Sequence, residues 1–174
     1  MSASQKLIDL LNEQVANEMH AHLKYLSVAA YFEGETLPSL AEFFSLQAAE
    51  EHEHAMKFFK FLVNVGAPVR IPEVPAPPTG FSSAEEAVAR SLESEQTVTA
   101  QIMELVRTAE HDRNRLALRF LDWFVEEQQE EENLMASLLS VVRRAGPDRL
   151  LQVEALIARG GLRREEPAAA EVEE

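Results

Sequence analysis

The chain has 174 residues, enough for one domain with a sizeable core, and 46% of them are hydrophobic. Acidic residues number 30 against 16 lysines and arginines, so the formal charge of −14 disfavours nucleic acid or an anionic membrane surface as a partner and favours cations. The lack of cysteine excludes disulfides, thiolate zinc sites and iron–sulfur clusters.

Glycine and proline divide the chain into four long helical stretches. Neither residue occurs at 4–32, 39–65 or 81–145, and the polar run at 110–114 is the expected break within the last of these. Each predicted helix has about 27 to 30 residues and is therefore roughly 40–45 Å long. A short fifth helix is predicted over 148–159, because Gly146-Pro147 and Gly160-Gly161 bracket it.

The segment 66–80 contains five prolines and is predicted to be extended. At roughly 3.1 Å per residue it could run the length of a helix, which would make the third helix parallel to the second. The sequence therefore predicts an all-α fold over residues 1–160, a four-helix bundle with one long crossover and a short fifth C-terminal helix. Residues 161–174 are expected to form a disordered acidic tail.

Every long helix carries one glutamate that is flanked by apolar residues at heptad spacing. These glutamates are Glu18, Glu51, Glu95 and Glu131. A carboxylate in an apolar interior costs several kcal/mol unless it is paired or neutralised, and no lysine or arginine shares these rows. Two divalent cations would balance four carboxylates, so the pattern predicts a dinuclear metal site. A bundle with incidental polar core residues is the alternative.

Two further side chains fall on the faces of these rows. His54 follows Glu51 by three residues, and Gln128 precedes Glu131 by three. The predicted ligand set is oxygen with one imidazole, which favours iron or manganese over a closed structural zinc site.

The sequence around these positions resembles the ferritin family, and specifically the non-haem bacterial ferritins, from about residue 7 to residue 145. The similar motifs lie at 11–18, 50–55, 94–96 and 120–131. A ferritin-like bundle has a single glutamate on two helices and a Glu-x-x-His pair on the other two. Here the second pair has become Gln128-x-x-Glu131.

The resemblance implies an iron-storage protein with a ferroxidase centre. Glu18, Glu51 and His54 would hold one iron, while Glu51 would bridge to a second iron that is held by Glu95 and Glu131.

The other positions that match the family have more than one interpretation. Gln128 would lie beside the second iron. Tyr25 would be next to the site as a hydrogen-bond or electron donor, or it is an ordinary core tyrosine. A third, inner iron site would use Glu50, Glu127 and Glu130, unless these residues belong to a solvated acidic face.

The same resemblance implies Fe(II) and O2 as substrates and a hollow homo-oligomer of 24 subunits, with the short helix at the four-fold axis. Two departures from related families affect these expectations. Bacterioferritins are the close alternative within the family, but they have a histidine where this chain has Glu131 and a haem-binding methionine where it has His52, so haem is not expected. Animal ferritins place acidic residues of the three-fold channel where this chain has Leu118 and Leu121, so an acidic channel is not expected there.

Several alternatives remain open from sequence. A ferritin-like di-iron oxidase or peroxide-reducing protein would use the same ligands without storing iron, and a DNA-protecting mini-ferritin would place its metal at a subunit interface. His20, His22 and His111 are expected on surfaces, and Trp123 is expected as core or interface filler. Residues 1–10 lack the hydrophobic segment of a signal peptide and no apolar run could span a membrane, so a cytoplasmic location without a membrane partner is expected.

Overall fold

The structure, a computed structural model, describes residues 3–162; within that range it is mainly α-helical and contains no β-strand. The elements are α1 (Gln5–Gly34), α2 (Pro38–Asn64), α3 (Ala84–His111), α4 (Arg115–Ala145) and α5 (Leu150–Ala158), with a 3-10 turn at Pro147–Arg149 between α4 and α5. This confirms the predicted all-α fold of four long helices and a short fifth one. Among the described residues, no helix combines the length and apolar character that crossing a bilayer requires.

Helices α1, α3 and α4 each begin at a polar N-cap residue whose side chain accepts a hydrogen bond from a backbone N–H group of the first turn. Ser4 Oγ accepts from Leu7 N at 3.2 Å at the start of α1. Ser83 Oγ accepts from Glu86 N at 3.1 Å at the start of α3, and the Glu86 carboxylate accepts in return from the N–H of Ser82 at 2.7 Å. Ser83 and Glu86 therefore form a variant of the capping box in which the return bond comes from the residue before the N-cap.

The N-terminus of α2 is capped from a distant part of the chain. Leu37 supplies no side-chain cap, but the Glu154 carboxylate of α5 accepts from Ser39 N at 2.5 Å and from Leu40 N at 3.0 Å. A carboxylate at a helix N-terminus is also favoured by the helix dipole. The short fifth helix is thereby fixed against α2, and it also packs on α4.

The segment between α2 and α3 runs alongside α1. Asn12 Nδ2 donates to Pro68 O at 3.1 Å, and Asn12 Oδ1 accepts from Arg70 N at 2.5 Å. Farther along, Ser27 Oγ donates to Pro78 O at 2.6 Å. Asn12 and Ser27 are about 22 Å apart along α1 at 1.5 Å per residue. The crossover therefore carries the chain from one end of the bundle to the other, and α3 runs parallel to α2 as predicted.

The apolar core consists of two clusters with a polar layer between them. Phe32, Phe44 and Met135 belong to one cluster, and Leu11, Phe58 and Phe124 belong to the other. The layer between the clusters contains residues 51–54 of α2, 95 of α3 and 128–131 of α4, all of which are near the middle of their helices. A layer of polar side chains therefore interrupts the apolar core at the middle of the bundle.

The predicted fifth helix starts later than expected. It was predicted from Asp148, but Pro147–Arg149 forms a 3-10 turn, in which Arg149 N donates to Gly146 O at 3.3 Å, and the α-helix begins at Leu150. The tighter turn follows Gly146, whose φ of 69° is unfavourable for a residue with a side chain. The predicted tail at 161–174 lies, after Leu162, outside the described residues.

Replacement of Asn12 by alanine should destabilise the fold by about 1 to 3 kcal/mol, because the peptide groups of Pro68 and Arg70 lose their partner in a partly buried position. Thermal denaturation of the variant measures this loss. Glu13→Ala, which changes the exposed neighbour on the same helix, is the control. Equal melting temperatures for the two variants would contradict the role of Asn12 in holding the crossover.

Candidate metal centre

The four glutamates of the heptad rows meet in the polar layer between the two apolar clusters. Their exposed fractions are 0% or 1%. One of them comes from each long helix, as the sequence predicts. His54 and Gln128 are equally enclosed, at 2% and 1% exposed. A fully enclosed group of carboxylates is costly in a protein interior, so the arrangement calls for a compensating positive charge.

Glu18, Glu51 and His54 form a first cluster. One ligand atom from each lies within 4.8 Å of the other two, and His54 Nδ1 is 3.5 Å from Glu51 Oε2. Gln14 Nε2 donates to Glu18 Oε1 at 2.9 Å, and Asn17 Nδ2 donates to Gln14 Oε1 at 3.2 Å. These two amides fix the direction of the Glu18 carboxylate. Sequence reasoning did not identify them, although Gln14 precedes Glu18 by one helical turn.

His54, Glu127 and Glu131 form a second cluster. One ligand atom from each again lies within 4.8 Å of the others, and His54 Nε2 is 3.7 Å from Glu127 Oε1. The imidazole of His54 therefore lies between two carboxylate groups, with one ring nitrogen toward each. Glu127 was predicted as part of an inner third site, and the structure brings it to His54 and Glu131, one turn away on α4.

Glu95 is held by two hydrogen bonds. The Tyr25 hydroxyl donates to Glu95 Oε1, and Gln128 Nε2 donates to Glu95 Oε2 at 3.1 Å. The Tyr25 hydroxyl therefore contacts a carboxylate of the polar layer, and its role beside a metal site stays a prediction. Among the described residues, Gln128 Oε1 accepts no hydrogen bond. A buried amide oxygen without a donor fits a nearby cation.

The other two residues of the predicted third site are less enclosed. Glu50 is half-buried and accepts from Gln47 Nε2 at 2.6 Å, and Glu130 is exposed. In the part of the chain that the structure describes, neither belongs to a cluster of three metal-ligating side chains. A third site made from Glu50, Glu127 and Glu130 therefore remains a prediction.

Burial and a neighbouring carboxylate together affect the ionisation of Glu18. Enclosure raises the pKa of Glu18 well above its usual value, and the Coulombic effect of Glu51 raises it further. His54 and the hydrogen bond from Gln14 act in the opposite direction. A divalent cation at the same place would remove the penalty, so the carboxylates and the imidazole fit iron or manganese both by charge and by donor type.

Trp123 contacts the centre, although it was predicted to be core or interface filler. Its ring centroid lies 5.5 Å from that of His54 in an edge-on arrangement, and Lys57 Nζ lies 4.3 Å from the Trp123 ring centroid. The indole is 38% exposed, so it connects the His54 ring with the surface. The sequence does contain a sign of this contact. Trp123 and Glu127 are four residues apart, which places both side chains on one face of α4.

The remaining histidines lie away from the two clusters. His22 Nδ1 hydrogen-bonds with Ala48 O at 2.7 Å, and its ring centroid is 5.9 Å from that of His52, which is exposed. Of the two leucines at the expected channel positions, Leu121 is fully buried in the core and Leu118 packs partly buried against the same cluster.

The comparisons with known proteins agree with the resemblance in the motifs. Residues 8–145 match the family model for the ferritin-like domain. Ferritin BfrB of Mycobacterium tuberculosis is 40% identical over 150 residues, which are 86% of this chain and 82% of that protein. A bacterial non-heme ferritin of Staphylococcus aureus is 35% identical over 145 residues, or 83% and 87% of the two chains. A solved structure of an open pore ferritin from Archaeoglobus fulgidus, 33% identical, matches with a TM-score of 0.86 over 92% of this chain and 98% of that one.

Glu18→Gln should raise the melting temperature of the metal-free protein at neutral pH. Because the folded pKa of Glu18 is raised, its contribution to stability is fully present below the unfolded pKa of about 4.3 and is lost as pH rises through the folded pKa. The difference in melting temperature between the variant and the native protein should therefore become smaller as the pH falls toward about 4.3. Thermal denaturation after chelation measures it, with Glu13→Gln as the exposed control. A difference that is constant between pH 5 and 8 would contradict the assignment.

Proposed function

This chain belongs to the ferritin family, and we propose that it is an iron-storage ferritin that oxidises Fe(II) with O2 at the centre enclosed by α1–α4. In this proposal the Fe(III) product forms a mineral inside a hollow shell of 24 copies of the chain. The observation that carries the proposal is the set of four fully buried glutamates around one histidine, since it combines a cation requirement with ligands suited to iron.

His54 can serve only one cluster as a metal ligand. A neutral imidazole has one nitrogen lone pair and one N–H group, so one ring nitrogen binds a cation while the other donates a hydrogen bond. We assign His54 Nδ1 to the metal position of Glu18 and Glu51, and the Nε2–H to the Glu127 carboxylate. A carboxylate on the outer nitrogen fixes the tautomer and ring orientation of a metal-binding histidine and increases its basicity.

In this proposal the second metal position uses the carboxylates of Glu51, Glu95 and Glu131, as the resemblance implies. Tyr25 and Gln128 both donate to Glu95, which orients its carboxylate and favours its ionised form. Gln128 supplies this hydrogen bond from a neutral amide, so it adds no charge to the centre. The second position is therefore held by carboxylate oxygens alone, and a hard cation suits that donor set.

The chemistry of the proposed reaction is electron transfer from the substrate iron to dioxygen. Each of two Fe(II) ions gives one electron, and O2 takes up both electrons with two protons and becomes hydrogen peroxide. Carboxylate oxygens are hard ligands that bind both oxidation states, so the protein groups can keep their positions as the iron charge rises. Enclosure by the two apolar clusters limits the access of water to the centre.

Storage requires an assembly, because one bundle cannot enclose a mineral. The relatives named above are ferritins, and their similarity covers most of this chain, which favours storage over a non-storing di-iron oxidase. Exposed carboxylates of α4, among them Glu126 and Glu130, offer an acidic surface that can receive Fe(III). The cytoplasmic location expected from the sequence is part of the same proposal.

Glu51→Ala should slow Fe(II) oxidation at least tenfold and leave the oligomer intact, because Glu51 contributes to both proposed metal positions. Stopped-flow absorbance after mixing with Fe(II) in air measures the rate, and size-exclusion chromatography measures the assembly. Glu53→Ala, which removes an exposed carboxylate from the same helix, is the control. An oxidation rate equal to that of the control would refute the site.

Aerobic addition of Fe(II) in excess should give a large particle that carries many irons per subunit. Size-exclusion chromatography with protein and iron measured in the same fractions tests this, because a mineral can co-elute only with a closed shell. About two irons per subunit on a small oligomer would instead support the non-storing oxidase, and no retained iron would contradict the proposed storage function.

A further inference from the structure

A cavity lies next to the centre on the side of α1 and α3. Its volume is about 430 Å³, and it is bounded by these two helices and by the end of the crossover segment. Its lining includes Lys24, Tyr25, Ser94 and Phe81. Tyr25 is 1% exposed and lines this cavity, and its hydroxyl donates to Glu95, so this side chain links the cavity with one of the proposed iron ligands.

Lys24 places a positive charge beside that position. It is half-buried, and its Nζ donates to Ser94 Oγ at 3.2 Å. Ser94 directly precedes Glu95 in α3, and Lys24 directly precedes Tyr25 in α1. The hydrogen bond to Ser94 therefore holds the ammonium group between α1 and α3, in the lining of the cavity that Tyr25 also borders.

The electrostatic partners of Lys24 are two of the proposed iron ligands. Burial lowers the pKa of Lys24, while Glu95 and Glu51 oppose this by favouring its charged form. These two carboxylates repel each other in the metal-free protein. A nearby ammonium group reduces this repulsion without occupying the metal position.

We propose that Lys24 acts as a counter-ion to the carboxylates of the second metal position. Its positive charge weakens the binding of a cation there and favours release of the ferric product. The inference rests on the proposed function, because it assumes that Glu51 and Glu95 hold iron.

Coulombic repulsion scales with the product of the charges, so Lys24 opposes Fe(III) more strongly than Fe(II). The stronger repulsion of Fe(III) favours its release after each oxidation, which frees the centre for new Fe(II). The same charge in the lining of the cavity also opposes the approach of Fe(II) through the cavity, whereas neutral O2 is unaffected. Lys24 is thus a positioning residue, since it touches neither substrate.

Zinc titration of the metal-free oligomer tests the proposal without any oxidation chemistry. Isothermal calorimetry should show that Lys24→Gln binds the weaker of two zinc ions per subunit at least fivefold more tightly than the native protein. Lys24→Arg keeps the charge and should bind zinc as the native protein does. Lys6→Gln removes an exposed lysine from the same helix and should also leave the affinity unchanged.

A second variant separates the charge from the hydrogen bond. Ser94→Ala removes the partner of Lys24 but keeps the ammonium group, so its zinc affinity should stay within twofold of the native value. Tighter binding in Ser94→Ala and Lys24→Arg as well as in Lys24→Gln would assign the effect to local packing and overturn the counter-ion role. Equal affinities in Lys24→Gln and the native protein would also overturn it.

Product release gives an independent measurement. After two Fe(II) per subunit have been oxidised, a second addition should be oxidised more slowly in Lys24→Gln than in Lys6→Gln, because Fe(III) leaves the centre more slowly. A native protein that binds no zinc and oxidises no Fe(II) would instead overturn the proposed centre itself, and this inference with it.

Discussion

Burial of four carboxylates at mid-height of the bundle is the constraint on which the rest of this structure depends. Each charge would cost several kcal/mol in an apolar interior, so the metal-free protein must offset a penalty that a bound cation removes. The apolar packing is divided into two clusters by this layer, and each cluster must be large enough to hold the four helices together. Helices of 27 to 31 residues provide that length on both sides of the layer.

The neighbours of the carboxylates set their direction. Gln14 donates to Glu18, while Tyr25 and Gln128 donate to Glu95, so these two glutamates are held by neutral groups that add no charge. Because these donors are neutral, they do not cancel the negative charge of the carboxylates that attracts a cation. It is also preorganised, because the hydrogen bonds exist before any cation arrives, and less side-chain freedom is lost on binding.

The fold and the ligand positions could be predicted because both depend on periodicity within single helices. Heptad rows identify Glu18 and Glu95 by their apolar neighbours, and the prolines of the crossover predict its extended path. Contacts between helices could not be predicted in the same way. The pairing of Glu127 with His54 depends on the relative height of α2 and α4, and the hydrogen bond between Lys24 and Ser94 depends on the packing of α1 on α3. The sequence pattern of a single helix specifies neither its height nor its packing relative to another helix.

The charges around the centre are unequal on its two sides, and this asymmetry gives the proposed reaction a direction. Lys24 lies between α1 and α3, while Glu127 and the exposed Glu130 lie on α4. Two Fe(II) ions neutralise four carboxylates, but two Fe(III) ions leave an excess of positive charge in a buried site. That excess is repelled by Lys24 and attracted by the carboxylates of α4. Oxidation itself would therefore drive the product toward the acidic face and return the centre to its metal-free state.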